Sequence, residues 1–241
     1  MNYLSANIRG AGNPLKAVHI KELIKNNNIS FVAIQETQFT DSAKLQVSSF
    51  WGNSVFESDM VDASGRSGGL LNIWDPSIFV RKVTITNIFY LASIGELKNG
   101  GGEINVVNIY APHDNNLKKD LWLDLSNLMN SYNGSWILLG DFNCVREPIE
   151  RKNSKFNSLA AESFNQFIRT PALSEYAMLG CLYTHRSDDG KRLSKIDRIL
   201  VCQSFLSNWS SAKLTGLPRY MSDHRPLLLK CSDEHFGPPP F

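Results

Sequence analysis

At 241 residues, with 42% hydrophobic and 20% charged side chains, the chain has ordinary globular composition and enough apolar material for a sizeable core. No stretch approaches the ~20 apolar residues that a membrane-spanning helix needs, which excludes that class of membrane protein. The formal net charge of +2 permits an acidic partner without demanding one, since a dedicated nucleic-acid module carries a denser basic face.

The chain opens as strand, helix, strand. Tyr3 to Ile8 is short and apolar, Ala17, Ile20, Leu23 and Ile24 repeat at helical spacing until Asn26-Asn27-Asn28, and Phe31 to Ile34 forms the second strand before Gln35-Glu36-Thr37. From Trp51 to Tyr110 the pattern predicts successive strands, best at Gly68 to Trp74, Val80 to Phe89 and Ile104 to Tyr110, with a turn at Asn99-Gly100-Gly101-Gly102. A helix carrying Leu121, Leu125, Leu128 and Met129 on one face then leads into the strand Trp136 to Leu139. Phe164, Phe167 and Ile168 mark another helix, and strands return at Ile196 to Val201 and Leu227 to Leu229. That is too many strands for one simple sheet. Two mixed sheets packed face to face with helices outside, an α/β sandwich, would bury them all. The spacing predicts one domain over residues 1–232 and a linker-like tail over 233–241, which ends Gly237-Pro238-Pro239-Pro240-Phe241. Cys144, Cys181, Cys202 and Cys231 stand far apart without zinc-finger spacing and read as reduced thiols. The first residues lack the basic and apolar regions of a signal peptide. The expected location is therefore nuclear or cytoplasmic rather than secreted, and a monomer is the default assembly.

Five segments place polar residues at the ends of apolar strands, where a rigid core can hold functional groups. Asn7 closes the first strand, and in isolation it is equally a turn residue. Glu36 closes the second; a carboxylate there suits a hard cation such as Mg²⁺, although a solvated surface glutamate has the same sequence. Tyr110, in Asn108-Ile109-Tyr110-Ala111-Pro112, offers a hydroxyl to a phosphate oxygen or simple packing. Leu138-Leu139-Gly140-Asp141-Phe142-Asn143 is more specific. Asp141 and Asn143 sit two apart, so on an extended backbone they face the same side, where Asp141 could orient or deprotonate water. The fifth segment pairs Asp197, a charge interrupting an apolar strand, with His224 in Ser222-Asp223-His224. A carboxylate on one imidazole nitrogen orients the ring, which when doubly protonated can stabilise charge on a phosphoryl oxygen.

The order Asn, Gln-Glu-Thr, Tyr-Ala-Pro, Gly-Asp-Phe-Asn, Ile-Asp-Arg-Ile, Ser-Asp-His, spanning residues 7 to 224, resembles the endonuclease/exonuclease/phosphatase superfamily. Within it, Asn7-Ile8-Arg9-Gly10, Ser67-Gly68-Gly69-Leu70 and the terminal Gly-Pro-Pro-Pro-Phe resemble the endonuclease domains of plant LINE retrotransposons. The resemblance implies a four-layer, DNase I-like α/β sandwich that nicks DNA by Mg²⁺-dependent phosphodiester hydrolysis, with Mn²⁺ able to substitute. It assigns Glu36, Asn7 and Asp223 to the metal or its water shell. It assigns Asp141 to the attacking water, Asn143, Tyr110 and His224 to the scissile phosphate, and Asp197 to holding His224. Thr184, Arg186, Lys191 and Arg192 fall in a region similar to a DNA-contacting loop, where basic side chains position phosphates; a solvated loop balanced by Asp188 and Asp189 is the plain alternative. Two departures stand out. Arg9 replaces an acidic metal-site residue of abasic-site enzymes, and His185 follows Thr184 where the plant domains often have Trp. Those elements continue into a reverse transcriptase, which is absent here, so the expectation is a copy truncated before it. A catalytically silent relic or interaction domain, and a phosphatase of small phosphoesters, are the competing readings.

Overall fold

In the computed structural model, residues 1–41, 44–65 and 67–231 are described; the linker-like tail expected at 233–241 lies outside them. The first half contains β1 (Asn2–Asn7), α1 (Pro14–Asn27), β2 (Phe31–Gln35), α2 (Ser48–Trp51), β3 (Glu57–Ser64), β4 (Ser67–Trp74), β5 (Phe79–Asn87), β6 (Tyr90–Leu97) and β7 (Glu103–Tyr110). The second half contains α3 (Asn115–Ser131), β8 (Ser135–Asp141), β9 (Arg151–Lys152), α4 (Ser158–Arg169), β10 (Ser174–Glu175) and β11 (Met178–Leu179). It continues through β12 (His185–Arg186), β13 (Leu193–Ser194), β14 (Asp197–Val201), α5 (Gln203–Asn208), β15 (Lys213–Gly216) and β16 (Leu227–Lys230).

The expected sandwich is present. A seven-stranded sheet runs β11-β15-β16-β1-β2-β4-β3 and a six-stranded sheet runs β10-β14-β8-β7-β6-β5. Both are mixed: β1 runs parallel to β2 and β7 parallel to β8 among otherwise mostly antiparallel pairs. Period-two alternation explains the four layers. Tyr3, Phe31, Val106, Ile137 and Leu139 point between the sheets with Phe79, Ile199 and Leu229. Their neighbours Leu4 and Val32 point outward onto Ala17, Ile20, Phe50 and Trp51 of α1 and α2. Val107 and Leu138 point onto Leu121, Trp122, Leu125, Phe164 and Phe167 of α3 and α4. Trp122 anchors that outer layer, its ring 5.0 Å from both Phe164 and Phe167.

The predicted strands and helices occur close to their expected bounds, but β3, β6, α5, β15 and a three-stranded sheet ordered β12-β13-β9 were not anticipated. None of the described helices is long and apolar enough to cross a membrane.

The interface between the sheets is not purely apolar. Gln35 at the end of β2 donates to Asn108 Oδ1 on β7 at 2.7 Å, and Asn108 Nδ2 donates back to the Ile34 carbonyl at 3.0 Å. Asn72 on β4 donates to Ser93 Oγ on β6 at 3.0 Å. Gln35, Asn72, Asn108 and Ser93 are fully buried, so each bond replaces water that cannot enter. A second buried polar cluster fastens β14. Arg198, with no exposure, pairs with Glu150 and with Glu175 at 2.9 Å, and Lys195 meets Glu175 at 3.0 Å.

Both clusters can be tested by removing one partner. Asn108→Ala removes the bonds from Gln35 and to the Ile34 carbonyl and should lower unfolding free energy by about 1–3 kcal/mol in urea titration. Arg198→Met leaves Glu150 without its cation and Glu175 with Lys195 alone, and should cost about 3–5 kcal/mol, measured the same way.

Candidate active site

The two sheets bring six strand ends to one rim. In the six-stranded sheet Tyr110, Asp141 and Asp197 lie side by side, because Asp141 is the register partner of both Tyr110 on β7 and Asp197 on β14. In the other sheet Asn7 pairs with Gln35, the residue before Glu36. His224 sits just before β16 and is carried against β1 by Ser222, whose hydroxyl donates to the Asn7 carbonyl at 2.8 Å.

Backbone geometry at this rim is unusual. Arg9, Glu36, Asn143 and Met221 all adopt positive φ without being glycine, a conformation that costs of order 1–3 kcal/mol each and needs support from its surroundings. Asn7 Oδ1 accepts the Arg9 N–H at 3.1 Å, and Lys16 Nζ donates to the carbonyls of Ile8, Arg9 and Gly10 at 2.7, 2.9 and 3.0 Å. Asp141 Oδ1 accepts the Asn143 N–H at 2.8 Å, while Lys118 Nζ holds the Asn143 carbonyl at 2.8 Å. Gly140 precedes Asp141 at φ +142, where any Cβ would lie 2.0 Å from the Ile109 carbonyl oxygen. Only glycine lets β8 pass there.

The side chains then converge. Asn7 Nδ2 donates to Glu36 Oε1 at 2.8 Å and to Asp141 Oδ2 at 3.1 Å. His224 Nδ1 lies 2.9 Å from both oxygens of Asp197, leaving Nε2 facing Asp141 Oδ2 at 3.9 Å. Glu36, Asp141 and His224 each offer a ligand atom within 4.8 Å of the others. Two neighbouring carboxylates, Asp141 buried and Glu36 half-buried, offer the oxygen ligands that a hard divalent cation prefers.

Charge explains the protonation pattern. Burial opposes the charged form of His224, but the Asp197 carboxylate, then Asp141 and Asp223, outweigh it and carry the ring up to about 10. Burial, then the neighbouring Asp197 charge, pushes the Asp141 carboxyl well above the usual carboxylate range. Burial followed by the Glu36 and Asp141 charges raises the Tyr110 phenol, so it stays a proton donor. Asp223 moves the other way: burial would raise it, yet His185, His224 and Arg9 bring it to about 2.

Several expectations change. Asn143 does not share an extended backbone with Asp141. The chain turns left-handed at Asn143, φ 47, and its amide donates to the Ala111 carbonyl at 2.8 Å. Asn7 points its NH₂ at the two carboxylates and its oxygen at Arg9, so it ties Glu36 to Asp141 instead of offering oxygen to a metal. Thr184 is no substrate contact. It is fully buried, and its hydroxyl accepts the N–H groups of Ile196 and Asp197 at 3.1 and 3.0 Å, which fixes the carboxylate that holds His224. Asp223 stands apart from Glu36 and groups with His185 and His224. Arg186 lines a cleft of about 460 Å³ with Arg9, Lys16 and Asp223 beside the centre. Lys191 and Arg192 line a different groove, with Lys152 and Asn153, at the turn between β12 and β13. Arg9 spans Asp188 at 2.6 Å and Asp223 at 2.8 Å. Lys16 and Lys118, which brace the strained loops, carry no sequence signal beyond ordinary helix lysines.

Comparison with known proteins agrees with this geometry. Residues 4–224 match the model of the Endonuclease/Exonuclease/phosphatase family. The chain is 23% identical over 235 residues to an uncharacterized 149 kDa protein of transposon TX1 from Xenopus laevis, covering 94% of this chain but only 18% of that protein. Among solved structures, a 3′-5′ exonuclease from Neisseria meningitidis superposes with TM-score 0.76 at 14% identity, over 96% of this chain and 99% of that one. The endonuclease domain of TRAS1, a telomere-specific non-LTR retrotransposon, superposes with TM-score 0.71 at 14% identity, over 97% and 99%. With the family model spanning nearly the whole chain and its fold shared with these nucleases, the chain belongs to the endonuclease/exonuclease/phosphatase family.

Proposed function

We propose that this chain is a divalent-metal-dependent phosphodiesterase that nicks DNA, of the kind retrotransposons use. The observation that carries the reading is the meeting of Glu36, Asp141 and the Asp197–His224 pair within one buried cluster. The retrotransposon assignment draws on the TX1 and TRAS1 likenesses.

Glu36 and Asp141 would hold a divalent ion such as Mg²⁺, which when bound supplies Lewis-acid charge to the phosphate. The chain's own groups do the rest. Asp141 orients the attacking water and accepts its proton. His224 is protonated at neutral pH, and its Nε2–H donates to a phosphoryl oxygen while Asp197 fixes the ring. Tyr110 donates a second hydrogen bond. Water oxygen bonds to phosphorus, one ester P–O bond breaks, and the leaving oxygen takes a proton, so a phosphomonoester and a hydroxyl replace the phosphodiester. Arg186 and Lys16, beside the centre, position flanking phosphates.

Supercoiled plasmid should be converted to nicked circles in Mg²⁺ and left intact in EDTA. Glu36→Ala should abolish nicking, and His224→Ala should lower its rate about 10²-fold, the usual effect of removing one transition-state donor. Intact plasmid from the folded wild-type protein would reject the proposal.

The His224–Asp197 pair also predicts how stability depends on pH. A histidine raised in the folded state stabilises fully below its unfolded value, about 6.5, and loses that contribution as pH rises through the folded value of about 10. The stability advantage of wild type over His224→Asn, from urea titrations, should therefore be full at about pH 6.5 and shrink from there to about pH 10.

A further inference from the structure

His185 has no part in the chemistry above, yet it is locked against His224. The two residues face each other across an isolated antiparallel bridge, flanked by Arg186 N–H to the Asp223 carbonyl at 3.0 Å and Arg225 N–H to the Thr184 carbonyl at 2.8 Å. That places them as a non-hydrogen-bonded pair, the kind whose side chains approach most closely. Their ring centroids are 4.7 Å apart.

Each ring has one nitrogen engaged and one directed inward. His224 Nδ1 is held by Asp197 at 2.9 Å, and His185 Nδ1 lies 3.3 Å from Ser194 Oγ. Outer hydrogen bonds of this kind fix the ring of a metal-binding histidine and aim its other nitrogen. Between the rings stands Asp223. Its Oδ2 lies 3.4 Å from His185 Nε2, and its Oδ1, 3.9 Å from His224 Nε2, is buried without a hydrogen-bond partner among the described residues. Arg9 takes Oδ2, so the orphaned oxygen is the one left to give. Ligands about 2.0–2.2 Å from a tetrahedral ion stand roughly 3.4 Å from one another. The ligand atoms of His185, Asp223 and His224 all lie within 4.8 Å of one another, and the unpaired Oδ1 is 3.9 Å from His224 Nε2, so binding draws them inward by about an ångström.

We propose that His185, Asp223 and His224 form a binding site for a zinc-class transition-metal ion. Two imidazoles and one carboxylate are a donor set that favours such ions over Mg²⁺, which prefers oxygen throughout, and three protein ligands leave a fourth position open to water. The hard-cation cluster at Glu36 and Asp141 is chemically distinct but shares His224 with it. Zinc occupancy displaces the Nε2 proton of His224 to solvent, which removes the donor the nuclease needs and switches nicking off. This last consequence rests on the nuclease reading; the site itself does not.

The test uses Co²⁺ and Zn²⁺ on the full chain, stripped with chelator and kept in excess Mg²⁺. One Co²⁺ per chain should give the intense visible bands of tetrahedral coordination without a thiolate charge-transfer band, and Zn²⁺ should displace it. His185→Phe should weaken Zn²⁺ binding by more than the roughly 10–100-fold that loss of an outer-shell partner costs, with circular dichroism unchanged. Asp223→Asn provides a second variant should the first misfold. Absence of the bands, displacement by Mg²⁺, a thiolate signature, or binding that survives in both folded variants overturns the proposal. None of these readouts requires nicking, so an inactive nuclease and an absent metal site would be told apart.

Discussion

The buried amide exchange between Gln35 and Asn108 governs the rest of the structure. Apolar faces alone allow two sheets to slide or rotate over one another with little change in buried area, because hydrophobic attraction has no direction. Reciprocal hydrogen bonds from β2 to β7 and back accept only one alignment. Glu36 follows Gln35 immediately, and Tyr110 lies two residues beyond Asn108. The bonds that set the sheets therefore also set the distance between residues of the centre that come from opposite sheets.

The charges show a related division of labour. Arg198 is wholly buried, and its partners Glu150 and Glu175 answer it with two carboxylates, which holds β14 in place. One residue earlier, Asp197 turns the other way and shares its charge with His224. Around the rim Asp141 and Glu36 gather on one side of His224 and Asp223 on the other, and one oxygen of Asp223 has no hydrogen-bond partner among the described residues. A group left this way in a folded protein is expensive unless something binds it.

Much of this was readable in the sequence. Strands that alternate between two apolar environments, such as Val106-Val107 and Ile137-Leu138, carry continuous hydrophobic runs, and the helices display an apolar stripe. The missed strands lack that signal. β3 is an edge strand, so Glu57, Ser58, Asp59 and Asp62 remain exposed or half-buried and its composition reads as loop. β6 is buried, but Ala92, Ser93 and Gly95 dilute its β character, and Gly95 is there because a Cβ would lie 2.2 Å from the Val80 carbonyl oxygen. The two-residue strands around His185 and Leu193 exist only through tertiary pairing. Among the site residues, Glu36, Asp141, Asp197 and His224 are brought together as their motif order implied. Thr184 was misassigned because sequence cannot distinguish a hydroxyl that faces a ligand from one that caps two backbone amides. Asn143 was misplaced by assuming that the strand continued past Asp141. His185 drew notice only as a departure, because its pairing with His224 joins distant parts of the chain and leaves no local trace.

The position of β16 bears on how the molecule is made. β1 pairs with β2 on one side and with β16 on the other, and the other described strands and helices lie between β1 and β16 in sequence. Until the ribosome has delivered Leu227 to Lys230, β1 presents an open hydrogen-bonding edge, the kind of surface on which nascent chains misassemble. The same delay withholds His224, which lies just ahead of β16. A chain interrupted before β16 would carry most of the sandwich but lack the histidine that completes the cluster at its rim.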